Sequence, residues 1–395
     1  MGRYNFDKCA DRRQSDAIKY CELKQRFGRS DLLPAWIADM DFDVCPEITQ
    51  TLASRVNHPI YGYATVAQSY IDSILGWLDH RHEFKATAEE MTYMPGVVKG
   101  IGFAVNFFTS PGDKIVIQPP VYHPFKMVIE GNGRVVINNP LINDGDNYRM
   151  DIDGLRKIIR TEHPKMFILC NPHNPIGLQW SEETLREVAS VCAECGVTVV
   201  SDEIHGDLML DGRRHTPFLS VSDDARKVGI MLGAPSKTFN IPGLVSSWCI
   251  IKNPELRKPF FDWMTYNEFN EPTFFATEGT EAAYRYGEEW LEEALAYISA
   301  NINHITAKCE LLFGNAIKAI RPQASFLIWL DCKGLGLNQE ELVDFFVNHA
   351  HLALNDGSMF GKEGEGYMRF NAAAPRATID HALDCLAEAY NTLKK

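Results

Sequence analysis

Lys237 is the residue whose type and surroundings point most directly to chemistry. It lies in a segment of small and polar residues between two apolar runs, Val228–Leu232 and Val245–Ile251. We expect a lysine in that position to lie at the end of a core strand, where its amine is partly removed from water. Burial disfavours the ammonium form and lowers the pKa, which makes a lysine a nucleophile or a base. A solvated loop lysine is the alternative, and it is the commoner case for a lysine taken alone.

Two earlier polar motifs follow apolar runs in the same way. The motif Asn-Pro-His-Asn-Pro-Ile-Gly, which contains Asn174, follows Met166–Cys170, and Asp202 follows Val197–Val200. The spacings from Asn174 to Asp202 and from Asp202 to Lys237 leave room for a crossover helix each time. Parallel α/β sheets place ligands at the carboxyl ends of their strands, so the sequence predicts that the three motifs meet at one edge of a sheet.

The elements that would position these residues alternate between short apolar strands and helical stretches. This pattern predicts an α/β fold with a mostly parallel, seven-stranded sheet covered by helices, in a large domain over residues 48–285. The candidate strands are Met91–Met94, Lys114–Gln118, Arg134–Ile137, Met166–Cys170, Val197–Ser201, Gly229–Gly233 and Ser246–Ile251.

A different pattern begins at Glu288, where a helical periodicity continues to about Ile320. The elements expected after it are a strand, a helix, a strand and a helix, over Ser325–Asp331, Gln339–His349, Gly366–Phe370 and Thr378–Leu393. This succession predicts a second, smaller α+β domain in residues 286–395.

Composition narrows the class of protein. The chain has 395 residues, 45% hydrophobic and 23% charged, which is typical of a globular protein with two domains. A net charge of −13 argues against nucleic acid or an anionic membrane as partner, and no apolar run is long enough to span a bilayer. The amino terminus has no signal-peptide pattern, so we expect a cytoplasmic protein.

Cysteines and histidines suggest no metal site. The ten cysteines are scattered, and the single Cys-x-x-Cys motif, Cys192 and Cys195, has neither a second pair nor nearby histidines. We therefore expect this motif to serve packing, and we predict no disulfide framework and no bound metal.

The ordered triple of Asn174, Asp202 and Lys237, with the motifs that contain them, resembles the fold-type I pyridoxal 5′-phosphate (PLP) enzymes. That superfamily includes aminotransferases and many lyases, and the resemblance extends over nearly the whole chain. It implies the PLP-dependent transferase-like fold and PLP as cofactor. It also implies that residues 1–47 pack with 286–395, so that the small domain is discontinuous.

The resemblance assigns roles around the cofactor ring. Lys237 would bind the cofactor aldehyde and later take the substrate Cα proton, while Asp202 would face the pyridine nitrogen. Asn174 would bind the phenolic oxygen, and Tyr122 would stack on the ring. From the sequence alone, Asp202 could instead cap the following helix, and Tyr122 could be a core residue.

A strand-to-helix turn is the expected phosphate site. The turn contains Gly96, Val97 and Val98, whose amides would lie at the positive end of a helix dipole, and Ser236 could add a hydroxyl. The resemblance also implies that Tyr63 reaches the phosphate of a neighbouring subunit, which would make the protein an obligatory homodimer with shared active sites.

The phosphate site departs from the pattern of many aminotransferases in one respect. These enzymes carry a serine three residues before the lysine and an arginine eight or nine residues after it. The corresponding positions here are Ala234, Val245 and Ser246. The phosphate therefore lacks its usual arginine.

Arg369 is the candidate for binding the substrate α-carboxylate, because a guanidinium matches a carboxylate in a bidentate pair. A structural salt bridge is the alternative. Ala38 and Asp39 belong to the segment Trp-Ile-Ala-Asp-Met-Asp-Phe and are further candidates for substrate binding.

That segment, with Ser-Asp-Glu-Ile-His, Ala-Pro-Ser-Lys-Thr-Phe-Asn and Tyr-Met-Arg-Phe-Asn, is similar to the MalY/PatB group of cystathionine β-lyases and cysteine-S-conjugate β-lyases. The resemblance implies α,β-elimination from a small amino-acid substrate to give pyruvate, ammonia and a thiol. Tyr122 or Tyr63 would assist the leaving sulfur. His205 is either a proton relay or a structural residue. The loop from Asn355 to Ser358 departs from the group, which bears on the choice of substrate side chain.

Two other functions share these residues. An aminotransferase would need every group named above, and it would differ from a lyase in requiring a keto acid. Some members of the group also restrain a transcription regulator, but no feature of this sequence argues for that role.

Overall fold

A seven-stranded sheet forms the centre of the computed structural model, which describes residues 2–145 and 147–393. All neighbouring strands in it are parallel except for Ser247–Ile250, which runs antiparallel to both of its neighbours. The strand order across the sheet is Met91–Met94, Ser247–Ile250, Gly229–Gly233, Thr198–Asp202, Met166–Cys170, Lys114–Ile117 and Val135–Asn138. The predicted α/β fold with a mostly parallel sheet is confirmed.

The central strands are apolar throughout because both faces of the sheet are covered. In the strand Met166–Cys170 every residue is buried. Phe167 and Leu169 pack into one hydrophobic cluster, whereas Ile168 packs into a second cluster on the other face. This alternation is the two-residue period of a strand, and it explains why the sequence shows a continuous apolar run rather than alternating polarity.

Helices connect the strands and supply the covering layers. In the first 286 residues the helices are Ile18–Cys21, Leu23–Phe27, Pro46–Val56, Gln68–His82, Val97–Phe108, Pro124–Gly131, Ile152–Glu162, Glu182–Cys195, Asp223–Val228, Pro235–Thr238, Pro254–Tyr266 and Phe274–Tyr286. Single turns of 3-10 helix lie at Ala88–Glu90, Phe218–Ser220, Pro242–Leu244, Lys333–Leu335, Gly357–Phe360 and Lys362–Gly364. Ser181 caps the helix Glu182–Cys195 by accepting a hydrogen bond from the Thr184 amide.

The carboxyl-terminal part of the chain builds a second sheet. Its antiparallel strands, in spatial order, are Lys318–Ile320, Leu327–Asp331, Tyr367–Asn371 and Asn355–Asp356. The helices of this part are Glu288–Phe313, Gln339–Asp344 with a π-helical turn at Phe345–His349, and Arg376–Leu393. A further hairpin joins Ile142–Asn143 to Tyr148–Arg149.

The amino-terminal segment packs against this second sheet region. Leu33–Pro34 pairs in parallel with Leu352–Ala353, and the amide of Asn371 donates to the carbonyl of Ala35. These contacts agree with a small unit built from both ends of the chain. The boundaries 1–47, 48–285 and 286–395 stay a prediction.

One predicted helix is too long. The helix that begins at Glu288 ends at Phe313, and Lys318–Ile320 is a strand rather than its last turn. Gly314 follows the helix with φ +56°, a backbone conformation that stops the helix and favours glycine. The helical periodicity continued past this residue in the sequence, which is why the prediction was wrong there. The other predicted strands and helices differ from the observed bounds by a few residues at most.

The longest helix, Glu288–Phe313, has two acidic residues in its first turn. Neither it nor any other helix formed within residues 2–145 and 147–393 is long and apolar enough to cross a bilayer.

Candidate active site

The carboxyl ends of three neighbouring strands lead into a cavity of about 270 Å³. Asn174, Asp202 and Lys237 all line it, as the spacing of their motifs predicts. Cys170 and Asp202 are direct partners across two of these strands, and Asp202 is level with Leu232 on the next one. The parallel sheet therefore gathers three polar motifs that are far apart in sequence.

Lys237 lies on the short helix Pro235–Thr238, which follows the strand Gly229–Gly233 directly. Its Nζ donates a hydrogen bond of 2.5 Å to the carbonyl of Ala38. Burial lowers the pKa of Lys237 to about 8, with the positive charge of Arg369 acting in the same direction and Asp39 and Asp202 opposing it. The amine is therefore much more often neutral near pH 7 than that of an ordinary lysine, as predicted.

Asp202 is 4% exposed and lines the cavity. Burial raises the pKa of Asp202 to about 7, although a hydrogen bond from the amide of Ile204 at 3.1 Å acts the other way. Among the described residues it has no ion-pair partner within 4 Å. A buried carboxylate of this kind is stabilised by a positively charged ligand group, because that group would replace the lost hydration.

Arg369 lies on the strand Tyr367–Asn371 and is buried behind Asn174. Its guanidinium donates to Asn174 Oδ1 at 3.1 Å, to Asn355 Oδ1 at 2.7 Å and to the carbonyl of Trp36 at 3.1 Å. Burial lowers the pKa of Arg369 to about 10. The structural salt bridge is the wrong interpretation, since in the part of the chain that the structure describes Arg369 meets amide and carbonyl oxygens and no carboxylate. It reaches the cavity through Asn174 and is not itself part of the lining.

The predicted phosphate turn also borders the cavity. Gly96 has φ +113° and immediately precedes the helix Val97–Phe108. Gly96, Val97 and Val98 line the cavity together with Ser236. The amides at the start of this helix are not used by the helix itself, so they can bind an anion. The sequence missed Lys99, the next residue of the turn, which also lines the cavity.

Tyr122 is half-buried and lines the cavity, where its ring packs edge-on against Phe125 at 5.8 Å. Burial raises the pKa of the Tyr122 phenol, and Arg369 opposes that rise. The side chain therefore gives the cavity a neutral aromatic surface.

Asp39 and Tyr63 do not line this cavity. Asp39 pairs with Arg12 at 2.5 Å, while the preceding residue, Ala38, contributes its carbonyl to Lys237. Tyr63 is fully exposed, with a relative accessible surface of 109%. Within a single subunit, the structure therefore joins Ala38 to the site and leaves Asp39 and Tyr63 outside its lining.

His205 also lines the cavity, and the sequence left its role open between a proton relay and a structural residue. It is 3% exposed, and within the described residues its Nδ1 is buried without a hydrogen-bond partner. Burial, together with the positive charges of Lys237 and Arg369, lowers the pKa of His205 to about 3. The sequence feature that pointed to His205 was its position, three residues after Asp202 at the end of the same strand. The ring is a neutral hydrogen-bonding group, not a cation.

The donor set fits PLP on several independent observations. Lys237 offers a deprotonatable amine, and Asp202 offers an unpaired buried carboxylate for the ring nitrogen. The amides of Val97 and Val98, which follow Gly96 at the start of the helix, are free to bind the phosphate, and His205 Nδ1 is a polar atom that a ligand could satisfy. In contrast, the described residues form no cluster of histidine, cysteine, aspartate and glutamate that could hold a metal ion.

A second cleft of about 540 Å³ is lined by several histidines and charged residues. There His82 contacts Asp207 at 2.7 Å, and Arg81 contacts Glu292 at 2.8 Å. Asp207 also accepts a hydrogen bond of 2.8 Å from the hydroxyl of Thr238. These groups are largely satisfied by one another, and through Thr238 they support the helix that carries Lys237.

The chain is similar to known proteins over nearly its whole length. The model of the family "Aminotransferase class I and II" matches residues 37–386. Cystathionine beta-lyase PatB of Bacillus subtilis is 42% identical over 96% of this chain and 98% of its own length. Protein MalY of Escherichia coli is 30% identical over 99% of this chain and 100% of its own.

A solved structure extends the similarity to the fold. The PLP-bound C-S lyase from Staphylococcus hominis superposes with a TM-score of 0.91 at 31% identity, over 98% of both chains. Because a family model covers most of the sequence and PatB aligns nearly end to end, this chain belongs to the aminotransferase class I and II family of PLP-dependent enzymes, in the group that contains PatB and MalY.

Proposed function

We propose that this protein is a PLP-dependent carbon-sulfur β-lyase that cleaves cystathionine or related cysteine S-conjugates. The reaction consumes one water and releases a thiol, pyruvate and ammonia. The observation that carries the proposal is the buried amine of Lys237, with a pKa near 8, facing the same cavity as Asp202. The 42% identity with a cystathionine beta-lyase, over 96% of this chain, supports the choice of reaction.

When bound, PLP supplies an electron sink that stabilises negative charge on the substrate Cα. In this proposal Asp202 pairs with the ring nitrogen and keeps it protonated, which strengthens that sink. Burial raises the pKa of Asp202 because an isolated carboxylate is unfavourable at this buried position. The carboxylate is therefore stabilised when it shares a proton with the ring nitrogen. Asn174 would donate through its amide nitrogen to the phenolic oxygen, and the ring of Tyr122 would pack on the cofactor.

The proton at the substrate Cα is removed by Lys237 in this proposal. A base with a pKa near the working pH is well matched to proton transfer, and burial gives Lys237 that value. Arg369 holds the substrate carboxylate, and the carbonyl of Ala38 holds the lysine amine within the site. Tyr122 assists the departing sulfur from within the same subunit.

The reaction is tested by the products. Purified holoenzyme with cystathionine and no added keto acid should release pyruvate in steady state, with one free thiol for each pyruvate. A strict requirement for a keto acid would contradict the lyase proposal and support an aminotransferase. The variant Lys237→Ala should lose pyruvate release by several orders of magnitude, because it removes both the cofactor attachment and the base.

The cofactor attachment is tested separately. Holoenzyme should absorb visible light because of PLP bound to Lys237, and borohydride reduction should fix the cofactor on the peptide that contains this residue. Colourless protein that cannot be reconstituted with PLP would overturn the whole proposal.

We also propose a homodimer in which Tyr63 completes the phosphate site of the partner subunit. Tyr63 is fully exposed, and the nearby side chains of Ile60 and Val66 are exposed apolar groups, which a subunit contact would cover. A mixture of inactive Lys237→Ala and impaired Tyr63→Ala chains tests the sharing. Heterodimers contain one intact site if Tyr63 acts across the interface, so activity should reappear on mixing; no recovery on subunit exchange would contradict it.

We place the enzyme in the cytoplasm. All ten cysteines are free, six of them buried, which suits a reducing compartment. Fractionation of cells that make the tagged protein tests this location.

A further inference from the structure

Lys99 occupies an unusual position for a lysine. It lies in the first turn of the helix Val97–Phe108, where the partial positive charge of the helix amino terminus disfavours a cation. No acidic residue accompanies it in that turn. Within residues 2–145 and 147–393, Lys99 makes no ion pair and no side-chain hydrogen bond. Local energetics therefore argue against a lysine here unless an anion binds beside it.

The cavity contains a place for that anion. Lys99 lines the cavity together with Gly96, three residues earlier, where a positive φ precedes the helix. Val245 and Ser246 line the cavity as well, at the positions where many aminotransferases carry a phosphate-binding arginine. A phosphate held there would meet backbone amides and serine hydroxyls, which leaves its double negative charge largely unmatched.

Other cations are engaged elsewhere. Lys237 bonds to the carbonyl of Ala38 and is committed to the cofactor aldehyde in the proposed function. Arg369 is buried and directed at Asn174, Asn355 and the carbonyl of Trp36. Of the lysines and arginines in the described chain, Lys99 and Lys237 are the two that line the cavity.

We propose that the ammonium group of Lys99 is the charged partner of the cofactor phosphate and takes the place of the arginine that this chain lacks. The inference rests on the proposed function, because it requires PLP as the cofactor. It assigns to Lys99 a role in holding the cofactor and none in moving protons. The side chain of Lys99 is exposed, so its flexible ammonium can also attract the phosphate dianion of PLP before the aldehyde reaches Lys237.

The test compares two ligands that differ in the phosphate. Cofactor-free enzyme is titrated with PLP and with pyridoxal, and dissociation constants are obtained from visible absorbance. Lys99→Gln should weaken PLP binding about tenfold and leave pyridoxal binding within twofold of the unchanged protein. Lys99→Arg should keep PLP binding within about threefold. The weakening of PLP binding by Lys99→Gln should be smaller at high salt, because exposed charges are screened.

The control is Lys126→Gln, a change at an exposed lysine on the next helix, and it should alter neither constant. Equal weakening of PLP and pyridoxal by Lys99→Gln would indicate a distorted turn and would overturn the inference. Unchanged PLP binding in Lys99→Gln would overturn it too. Failure of the unchanged protein to bind PLP at all would instead overturn the proposed function, so the two failures are distinguishable.

Discussion

Arg369 and Asn174 are joined by a buried hydrogen bond, in which the guanidinium Nη1 donates to the amide oxygen at 3.1 Å. This bond fixes which end of the Asn174 amide faces the guanidinium. Its nitrogen, a donor only, is left to face a ligand in the cavity. The residue proposed to bind the substrate carboxylate therefore also orients the residue proposed to bind the cofactor, and a change at one should be felt at the other.

Arg369→Lys tests this coupling. A lysine cannot donate to Asn174, Asn355 and a carboxylate at once, because its ammonium is a compact point charge rather than a planar fork. We expect kcat/KM for cystathionine to fall about a hundredfold, which corresponds to about 3 kcal/mol. We also expect the visible absorption of the holoenzyme to shift before any substrate is added.

The matched control for that variant is Arg257→Lys. Arg257 is a buried arginine that donates to the carbonyls of Ile251 and Lys252, away from the cavity. Its replacement should affect stability but neither KM nor the absorption spectrum. A normal spectrum in Arg369→Lys would show that Asn174 is oriented by other contacts.

Asp202 should destabilise the cofactor-free protein. Its pKa is about 7 in the folded state and about 4 when unfolded, so between these pH values the folded protein holds a proton that the unfolded chain releases. The free energy of unfolding should therefore fall as pH rises from about 4 to about 7. Asp202→Asn should remove this slope, raise stability above pH 7 by roughly 4 kcal/mol and abolish activity.

Urea unfolding of cofactor-free protein at several pH values measures this effect. Asp207→Asn is the control, and for this variant we expect the opposite change in the free energy of unfolding. Burial opposes ionisation of Asp207, but hydrogen bonds from His82 and Trp77 prevail and lower its pKa to about 2. That variant should lose stability at pH 7. If both aspartate variants were destabilised alike, the proposal that Asp202 destabilises the cofactor-free protein would be wrong.

Gly96→Ala should damage the phosphate end of the site. A methyl group there would meet no atom within 4 Å, so crowding is not the problem. The cost comes from φ +113°, which a side chain disfavours by about 1–2 kcal/mol. We expect the turn to relax, the free amides of Val97 and Val98 to move, and PLP to bind several-fold more weakly.

Gly76→Ala is the control for that change. Gly76 lies inside the helix Gln68–His82, an added methyl group would likewise meet open space there, and its φ is not in the left-handed region. Alanine is a better helix former, so this variant should be neutral or slightly more stable. Equal PLP affinity in both alanine variants would mean that the conformation of Gly96 does not matter for the cofactor.

Sequence predicted the parts of the site that lie on strand ends. Asn174, Asp202 and Lys237 each follow a buried strand, and a buried parallel strand leaves a continuous apolar run that is easy to recognise. The register between strands then brings them together. Helix ends were predicted less well, since the stop at Gly314 depends on one backbone conformation rather than on a pattern.

Contacts between distant segments could not be predicted in this way. Arg369 and Trp36 are 333 positions apart, and neither local sequence predicts the hydrogen bond between them. Lys99 was not identified from the sequence because a lysine beside a glycine-containing turn is ordinarily a solvated residue. Only the shape of the cavity distinguishes it. His205 was ambiguous for the same reason, because burial rather than residue type determines its charge.

The pKa of Lys237 predicts how the cofactor-free enzyme takes up PLP. The neutral amine attacks the aldehyde and the ammonium does not, so the rate should rise with pH and level off above the pKa of about 8. An unperturbed lysine would continue to gain rate up to about pH 10. Stopped-flow absorbance between pH 6 and pH 10 gives the midpoint.

Two comparisons show whether that midpoint belongs to Lys237. Pyridoxal, which has no phosphate, should give the same midpoint as PLP, because the midpoint then does not come from titration of the phosphate. Lys99→Gln should slow uptake of PLP without moving the midpoint, since the lowered pKa of Lys237 comes first from burial and Lys99 is not among its causes. A midpoint near pH 10 would mean that the amine is hydrated in the open site, and burial would then not be what prepares Lys237 as a nucleophile and base.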